Sequence, residues 1–116
     1  MEALLGYSRM GASWEGFVME NIIASLPESS RVSFYRSAAG AEIDLVLELP
    51  GHRKPWAVEI KRGRNPKLER GFHHAREDVK PERCIVVCGT DEAFPMGDGI
   101  EAMGLPETLE LITRGR

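Results

Sequence analysis

Ala41-Glu42-Ile43-Asp44-Leu45-Val46-Leu47-Glu48-Leu49 is followed, after the turn Pro50-Gly51-His52-Arg53-Lys54-Pro55, by Trp56-Ala57-Val58-Glu59-Ile60-Lys61. The fold is decided by how these two runs are read. Both are rich in Ile, Val and Leu, as strands are. Side chains alternate across a strand, so Ile43, Leu45, Leu47 and Leu49 are expected on one face. Glu42, Asp44, Val46 and Glu48 then share the other. In the second run Trp56, Val58 and Ile60 face one way, and Ala57, Glu59 and Lys61 the other. The prolines and glycine between the runs are turn chemistry. A hairpin centred between Gly51 and His52 sets Asp44 opposite Glu59.

Directly opposed residues have Cβ atoms about 4.5–5.5 Å apart. Two carboxylates that close repel unless a cation sits between them. Lys61, two residues beyond Glu59, lies on the same face about 6–7 Å away. The pattern suits two carboxylates for a hard divalent ion with a lysine beside it, and so metal-assisted phosphodiester hydrolysis. The plain alternative is a solvated hairpin face, which often carries charge.

A chain of 116 residues suits one domain with one core. The formal net charge of −3 argues against a free-standing, avid nucleic-acid binder. The charge is uneven, however. Between His52 and Arg76 lie Arg53, Lys54, Lys61, Arg62, Arg64, Lys67 and Arg70, against only Glu59 and Glu69. Such a stretch presents a basic face to phosphates, or is simply a solvated basic helix. No apolar run approaches the ~20 residues of a membrane span. Met1-Glu2-Ala3-Leu4-Leu5-Gly6 has neither the basic start nor the apolar core of a signal peptide. The expectation is a cytoplasmic protein with no membrane partner. Cys84 and Cys88, four apart on a strand, would share a face, but with Cα atoms ~13 Å apart they could not bridge. Buried, reduced thiols are expected. A zinc site joining them to His73 and His74 fits no standard spacing.

Taken in order, residues 1–10 read as a lead-in, the end of an upstream region. Ser13 caps a helix from Trp14 in which Trp14, Val18, Ile22 and Leu26 recur every four residues, with Phe17 and Ile23 beside them. Glu15 borders that apolar stripe and Glu20 lies further round. A carboxylate there meets a cation, a donor or a metal, or is a partly exposed helix glutamate. Arg31 to Ser37 alternates as a strand, and Ala38-Ala39-Gly40 turns the chain into the Asp44 strand. Pro66 suits the first turn of a helix running to about Val79, with Leu68, Phe72, Ala75 and Val79 as its stripe. Arg83 to Cys88 reads as a buried strand, Asp91 to Gly99 as a loop, Ile100 to Leu105 as a short edge strand, and Pro106 to Ile112 as a helix. The class is α/β: an αβββαβ core whose mixed sheet is flanked by helices, since a helical crossover lets the fourth strand run parallel to one already placed.

An acid on the first helix, an Asp on the second strand and Glu-x-Lys on the third resemble, in that order, the PD-(D/E)XK nuclease superfamily. That superfamily includes restriction endonucleases and archaeal Holliday-junction resolvases. More closely, Gly11-Ala12-Ser13-Trp14-Glu15-Gly16-Phe17-Val18, Phe34-Tyr35-Arg36 with Gly40 to Glu48, and Ala57-Val58-Glu59-Ile60-Lys61 resemble the DUF4143-type domain of unknown function. That domain forms the C-terminal part of many prokaryotic AAA-type ATPases. The likeness spans roughly residues 11–112. It implies a restriction-endonuclease-like fold in which Asp44 and Glu59 are metal ligands and the Ile60 carbonyl a third. Lys61 is then the catalytic lysine, and Glu15, ahead of Glu20, the helix acid. Arg36 matches a basic position of the pattern. Ile43 stands where the superfamily's name has proline, a tolerated change. No Gly-rich Lys-Ser/Thr loop is present, so ATP binding in that family's way is not expected of this chain. We expect an excised domain or a piece of a longer gene product, with an ATPase module in the same or another chain.

Two functions compete at this point. One is a Mg²⁺- or Mn²⁺-dependent deoxyribonuclease, with Arg36, Arg62, Arg64, Lys67 and Arg70 on the DNA backbone. The other is a non-catalytic module that binds DNA or a protein and positions an ATPase.

Overall fold

The computed structural model describes residues 13–114. The lead-in expected at 1–10 lies outside them. The described residues form three helices and one six-stranded mixed sheet. The elements are α1 (Trp14–Ala24), β1 (Arg31–Arg36), β2 (Glu42–Glu48), β3 (Trp56–Ile60), α2 (Arg70–Val79), β4 (Arg83–Val87), β5 (Phe94–Gly97), β6 (Ile100–Met103) and α3 (Leu105–Arg114). The αβββαβ order and the α/β class are as read from the sequence.

Spatially the strands run β1-β2-β3-β4-β6-β5. The first three form an antiparallel meander. The α2 crossover brings β4 back parallel to β3, and β6 lies parallel to β4. One face carries Leu45, Leu47, Val58, Ile60, Ile85 and Val87, covered by Val18 and Ile22 of α1 and Ile112 of α3. The other carries Ile43, Val46, Ala57, Cys84, Val86 and Cys88, covered by Phe72 and Ala75 of α2. β3 is buried along its whole length, as expected of a central strand with helices on both faces. Both cysteines are buried free thiols on one face, as their spacing required.

Several expectations need correction. Ile43 does not share a face with Leu45, Leu47 and Leu49; it packs on the α2 side. The cause is a β-bulge. The β1–β2 register runs Ser33↔Val46 and then Tyr35↔Ile43, so Phe34 alone opposes both Asp44 and Leu45. One extra residue inverts the alternation beyond it. Phe17 does not join the core; it is half exposed on the outer side of α1. That helix ends at Ala24, before Leu26, the last residue of its expected stripe. α2 starts at Arg70, four residues after Pro66. The supposed loop from Asp91 to Gly99 contains β5, which hairpins onto β6. β6 is consequently an interior strand, and β5 forms the edge.

Candidate active site

The β2–β3 ladder keeps its register through Leu47↔Trp56, Val46↔Ala57 and Leu45↔Val58. The next position pairs Asp44 with Glu59, as the hairpin reading required, but there side chains replace the ladder. The Asp44 N–H donates to Glu59 Oε1 at 3.1 Å. The Ile60 N–H donates to Asp44 Oδ2 at 2.9 Å. Meanwhile β3 keeps to β4, with the Lys61 N–H donating to the Val87 carbonyl at 2.9 Å. So β3 parts from β2 at its C-terminal end, and two carboxylates bridge the parting. The bulge at Asp44–Leu45 lies at the same place and re-aims Asp44, as bulges beside functional sites do.

One oxygen of each carboxylate is thus committed to backbone. The remaining oxygens are Asp44 Oδ1 and Glu59 Oε2, and the two side chains also interact with each other. Lys61 Nζ lies 3.9 Å from Glu59 Oε2. Glu59 is 8% exposed, one of the two buried polar residues among those described. Burial first, and then the neighbouring Asp44 charge, push its pKa up to about 7; the Asp44 N–H and Lys61 oppose the rise. Burial also raises the pKa of Asp44, against the hydrogen bond from Ile60 and the charge of Lys61. Two close, desolvated carboxylates are poorly tolerated without a compensating cation.

A cleft of about 400 Å³ opens at this end of the sheet. Its lining brings together Glu15, Asp44, Glu59, Ile60 and Lys61, all of them residues singled out from the sequence. Glu15 arrives from the first turn of α1, whose start is fixed by Ser13 Oγ accepting the Gly16 N–H at 3.1 Å. Glu15 is held below the ordinary carboxylate range, first by its own backbone N–H and further by Arg62. Glu20, the alternative helix acid, is not in the lining. From the opposite face come Glu69, Gly71 and Phe72 at the start of α2. Their position depends on a close approach: a Cβ on Gly71 would meet the Gly40 carbonyl oxygen at 2.6 Å.

The lining also includes Glu42 and Glu69, which the sequence reading had not singled out. Glu42 had a signal, its place two residues before Asp44; Glu69 had none. The charge of Glu42 further raises the pKa values of Asp44 and Glu59.

The basic residues behave differently. None of Arg36, Arg62, Arg64, Lys67 and Arg70 is in the lining. Arg62 pairs with Glu15 at 3.1 Å and Arg64 with Asp91 at 2.9 Å. Arg36 stands 4.0 Å from Glu42. Lys67 and Arg70 are exposed beside the N-terminus of α2.

The donor set suits a small divalent ion. No three His, Cys, Asp or Glu side chains come together as a metal cage among the described residues, which also leaves no zinc site on Cys84 and Cys88. Mg²⁺ does not need such a cage: it keeps several waters and takes one or two carboxylates plus substrate phosphates. Asp44 and Glu59, with the Ile60 carbonyl next to Glu59 in the chain, fit that requirement.

The profile of the domain of unknown function DUF4143 matches residues 10–108. The chain belongs to the DUF4143 family. The DUF4143 domain is also 35% identical over 101 residues to the uncharacterized proteins Rv2008c of Mycobacterium tuberculosis and Mb2031c of Mycobacterium bovis. The match covers 87% of this chain and 22% of each relative, so the domain corresponds to about a fifth of those proteins. No solved structure matches it. Among the described residues of the DUF4143 domain, no helix is long and apolar enough to cross a membrane.

Proposed function

We propose that this DUF4143 domain is a PD-(D/E)XK-like, metal-dependent deoxyribonuclease domain, and that it forms the C-terminal part of a larger, ATPase-associated cytoplasmic protein. The observation that carries the reading is the Asp44–Glu59 bridge with Lys61 beside it, set at the mouth of a cleft. Ordinary ladder hydrogen bonds would have closed the sheet there at less desolvation cost. Buried like charges whose pKa values are pushed up mark functional sites more often than structural ones.

In this reading Asp44, Glu59 and the Ile60 carbonyl hold Mg²⁺ or Mn²⁺, which when bound polarises a phosphoryl oxygen and lowers the pKa of a bound water. Lys61 stabilises the negative charge that develops on the phosphate, from a position already beside the Glu59 oxygen. Glu15, in the lining of the cleft, holds Arg62 at 3.1 Å. That exposed ion pair is weak enough to be exchanged for a DNA phosphate. At the other wall Glu69 leaves the first turn of α2 without a side-chain cap, so backbone N–H groups remain for a phosphate, with Lys67 and Arg70 nearby. These contacts grip backbone and read no sequence.

One observation favours the second reading, a non-catalytic module that binds DNA or a protein and positions an ATPase. Three of the five basic residues, Arg36, Arg62 and Arg64, are already paired with acids. A cleavage assay decides between them. Wild type and Lys61→Ala are incubated with supercoiled and branched DNA in Mn²⁺. Cutting by wild type alone supports the nuclease. A wild type that binds DNA or a partner protein but never cuts supports the module.

A further inference from the structure

The bulge that re-aims Asp44 also places an exposed aromatic ring beside it. Phe34 is the β1 residue opposite Asp44 and Leu45. It is 70% exposed, more than any other large hydrophobic side chain described. The neighbouring positions fix its side of the sheet. Val32 pairs with Leu47, a core residue of the α1 face, and Tyr35 turns the other way, onto the α2 face. Tyr35 donates from its hydroxyl to Asp78 of α2 at 2.8 Å. Phe34 therefore stands on the α1 side, on the strand adjoining the one that carries Asp44. β1 is an edge strand and five of its six residues are exposed, so packing gives no reason for a phenylalanine there.

The charges around the ring indicate what would cover it. Of the two β1 arginines, Arg36 shares the face of the ring and Arg31 alternates to the other; Arg36 stands 4.0 Å from Glu42 on β2. The Arg36 guanidinium lies 6.0 Å from the Phe34 ring centroid. A second copy pairing antiparallel on this edge would set Arg31 against Arg36 of its partner, which like-charge repulsion opposes. An exposed aromatic ring with an arginine beside it suits an unpaired base: the ring stacks on the base while the cation, here exchanging its 4.0 Å pair with Glu42, meets a phosphate.

We infer that Phe34, with Arg36, is a base-stacking platform at the edge of the cleft, so that the domain's substrates are DNAs bearing an unpaired strand rather than plain duplex. This rests on the deoxyribonuclease reading and narrows its substrate class.

The test is equilibrium binding by fluorescence anisotropy in Ca²⁺ buffer. One probe is a labelled duplex; the other is the same duplex with a single-stranded arm carrying 2-aminopurine. Wild type should prefer the armed DNA and quench the 2-aminopurine. Phe34→Ala should lose about 5–150-fold in affinity for the armed DNA, the range for removing one stacked base, and should not quench. Its affinity for plain duplex should not move. Phe34→Trp should keep both the preference and the quenching. Equal binding of the armed DNA by wild type and Phe34→Ala would overturn the platform and leave the nuclease reading standing. A wild type that binds neither DNA would overturn the nuclease reading and the platform with it.

Discussion

Asp44 and Glu59 hold each other's strands at the point where β2 and β3 part: Glu59 Oε1 accepts the Asp44 N–H, and Asp44 Oδ2 accepts the Ile60 N–H. The arrangement is rigid because each carboxylate is fixed by backbone. It is also costly, because Glu59 is buried and Asp44 half-buried, each beside a like charge.

The first prediction follows from that cost. Glu59 titrates at about 7 in the folded chain and near 4.5 when unfolded. The folded state therefore binds the extra proton between these values. The protonated carboxyl's contribution to stability is full below about pH 4.5 and is lost as pH rises through 7. Metal-free protein should lose on the order of 2 kcal/mol between pH 5 and pH 8. Urea unfolding in EDTA across that range measures it. Glu59→Gln should flatten the profile; the same slope in the variant would mean another group is responsible.

Lys61 separates chemistry from scaffold. Its ammonium offsets the charge of the carboxylate pair when metal is absent. Lys61→Ala should cost on the order of 1 kcal/mol in EDTA. It should leave Mn²⁺ affinity intact or slightly higher, since a competing cation is gone. Cleavage should be abolished while DNA binding survives. Lys61→Arg should not restore cutting, because a planar guanidinium places its charge differently from a compact ammonium. Undiminished cutting by Lys61→Ala would remove this lysine from the mechanism.

Gly71 tests the wall of the cleft. Its substitution by Ala puts a methyl against the Gly40 carbonyl oxygen, and backbone must shift. We expect a loss of about 1–3 kcal/mol in thermal or urea unfolding, the range for overpacking. The α2 wall should move away from Asp44, and metal affinity should fall with it. Unchanged stability would mean that the close approach of α2 to the β1–β2 turn is not a constraint.

The basic residues should divide into two groups. Arg62 and Arg64 are paired with Glu15 and Asp91, whereas Lys67 and Arg70 stand exposed beside the α2 N-terminus. Lys67→Glu with Arg70→Glu should weaken DNA binding more than the same reversals at Arg62 and Arg64. Each phosphate contact removed should reduce the salt slope by about 0.7–0.9. A filter-binding salt series checks this. Equal effects from both pairs would mean that the ion pairs open fully on binding.

The Asp44–Glu59 juxtaposition was legible because Pro50, Gly51 and Pro55 pin the turn, and the turn sets the hairpin register. The buried parallel strand was legible because Arg83 to Val87 is a short apolar run after a helical crossover. The face of Ile43 was not, since alternation assumes an unbroken ladder and nothing in Ile43-Asp44-Leu45 announces a bulge. β5 was hidden because Pro95 and Gly97 read as loop residues, yet at a sheet edge the N–H that proline lacks is not needed for a ladder on the open side. The ion pairs of Arg62 and Arg64 join residues 47 and 27 positions apart, a relation that local pattern does not carry.

The account stands most directly on the carboxylate pair as a divalent-metal site. Calorimetric titration of Mn²⁺ into wild type and Asp44→Asn at neutral pH tests it. Wild type should bind one ion per chain and release protons as Glu59 ionises, while Asp44→Asn, folded by circular dichroism, should give no binding heat. No saturable binding by wild type at millimolar Mn²⁺, or equal binding by the two proteins, would contradict it.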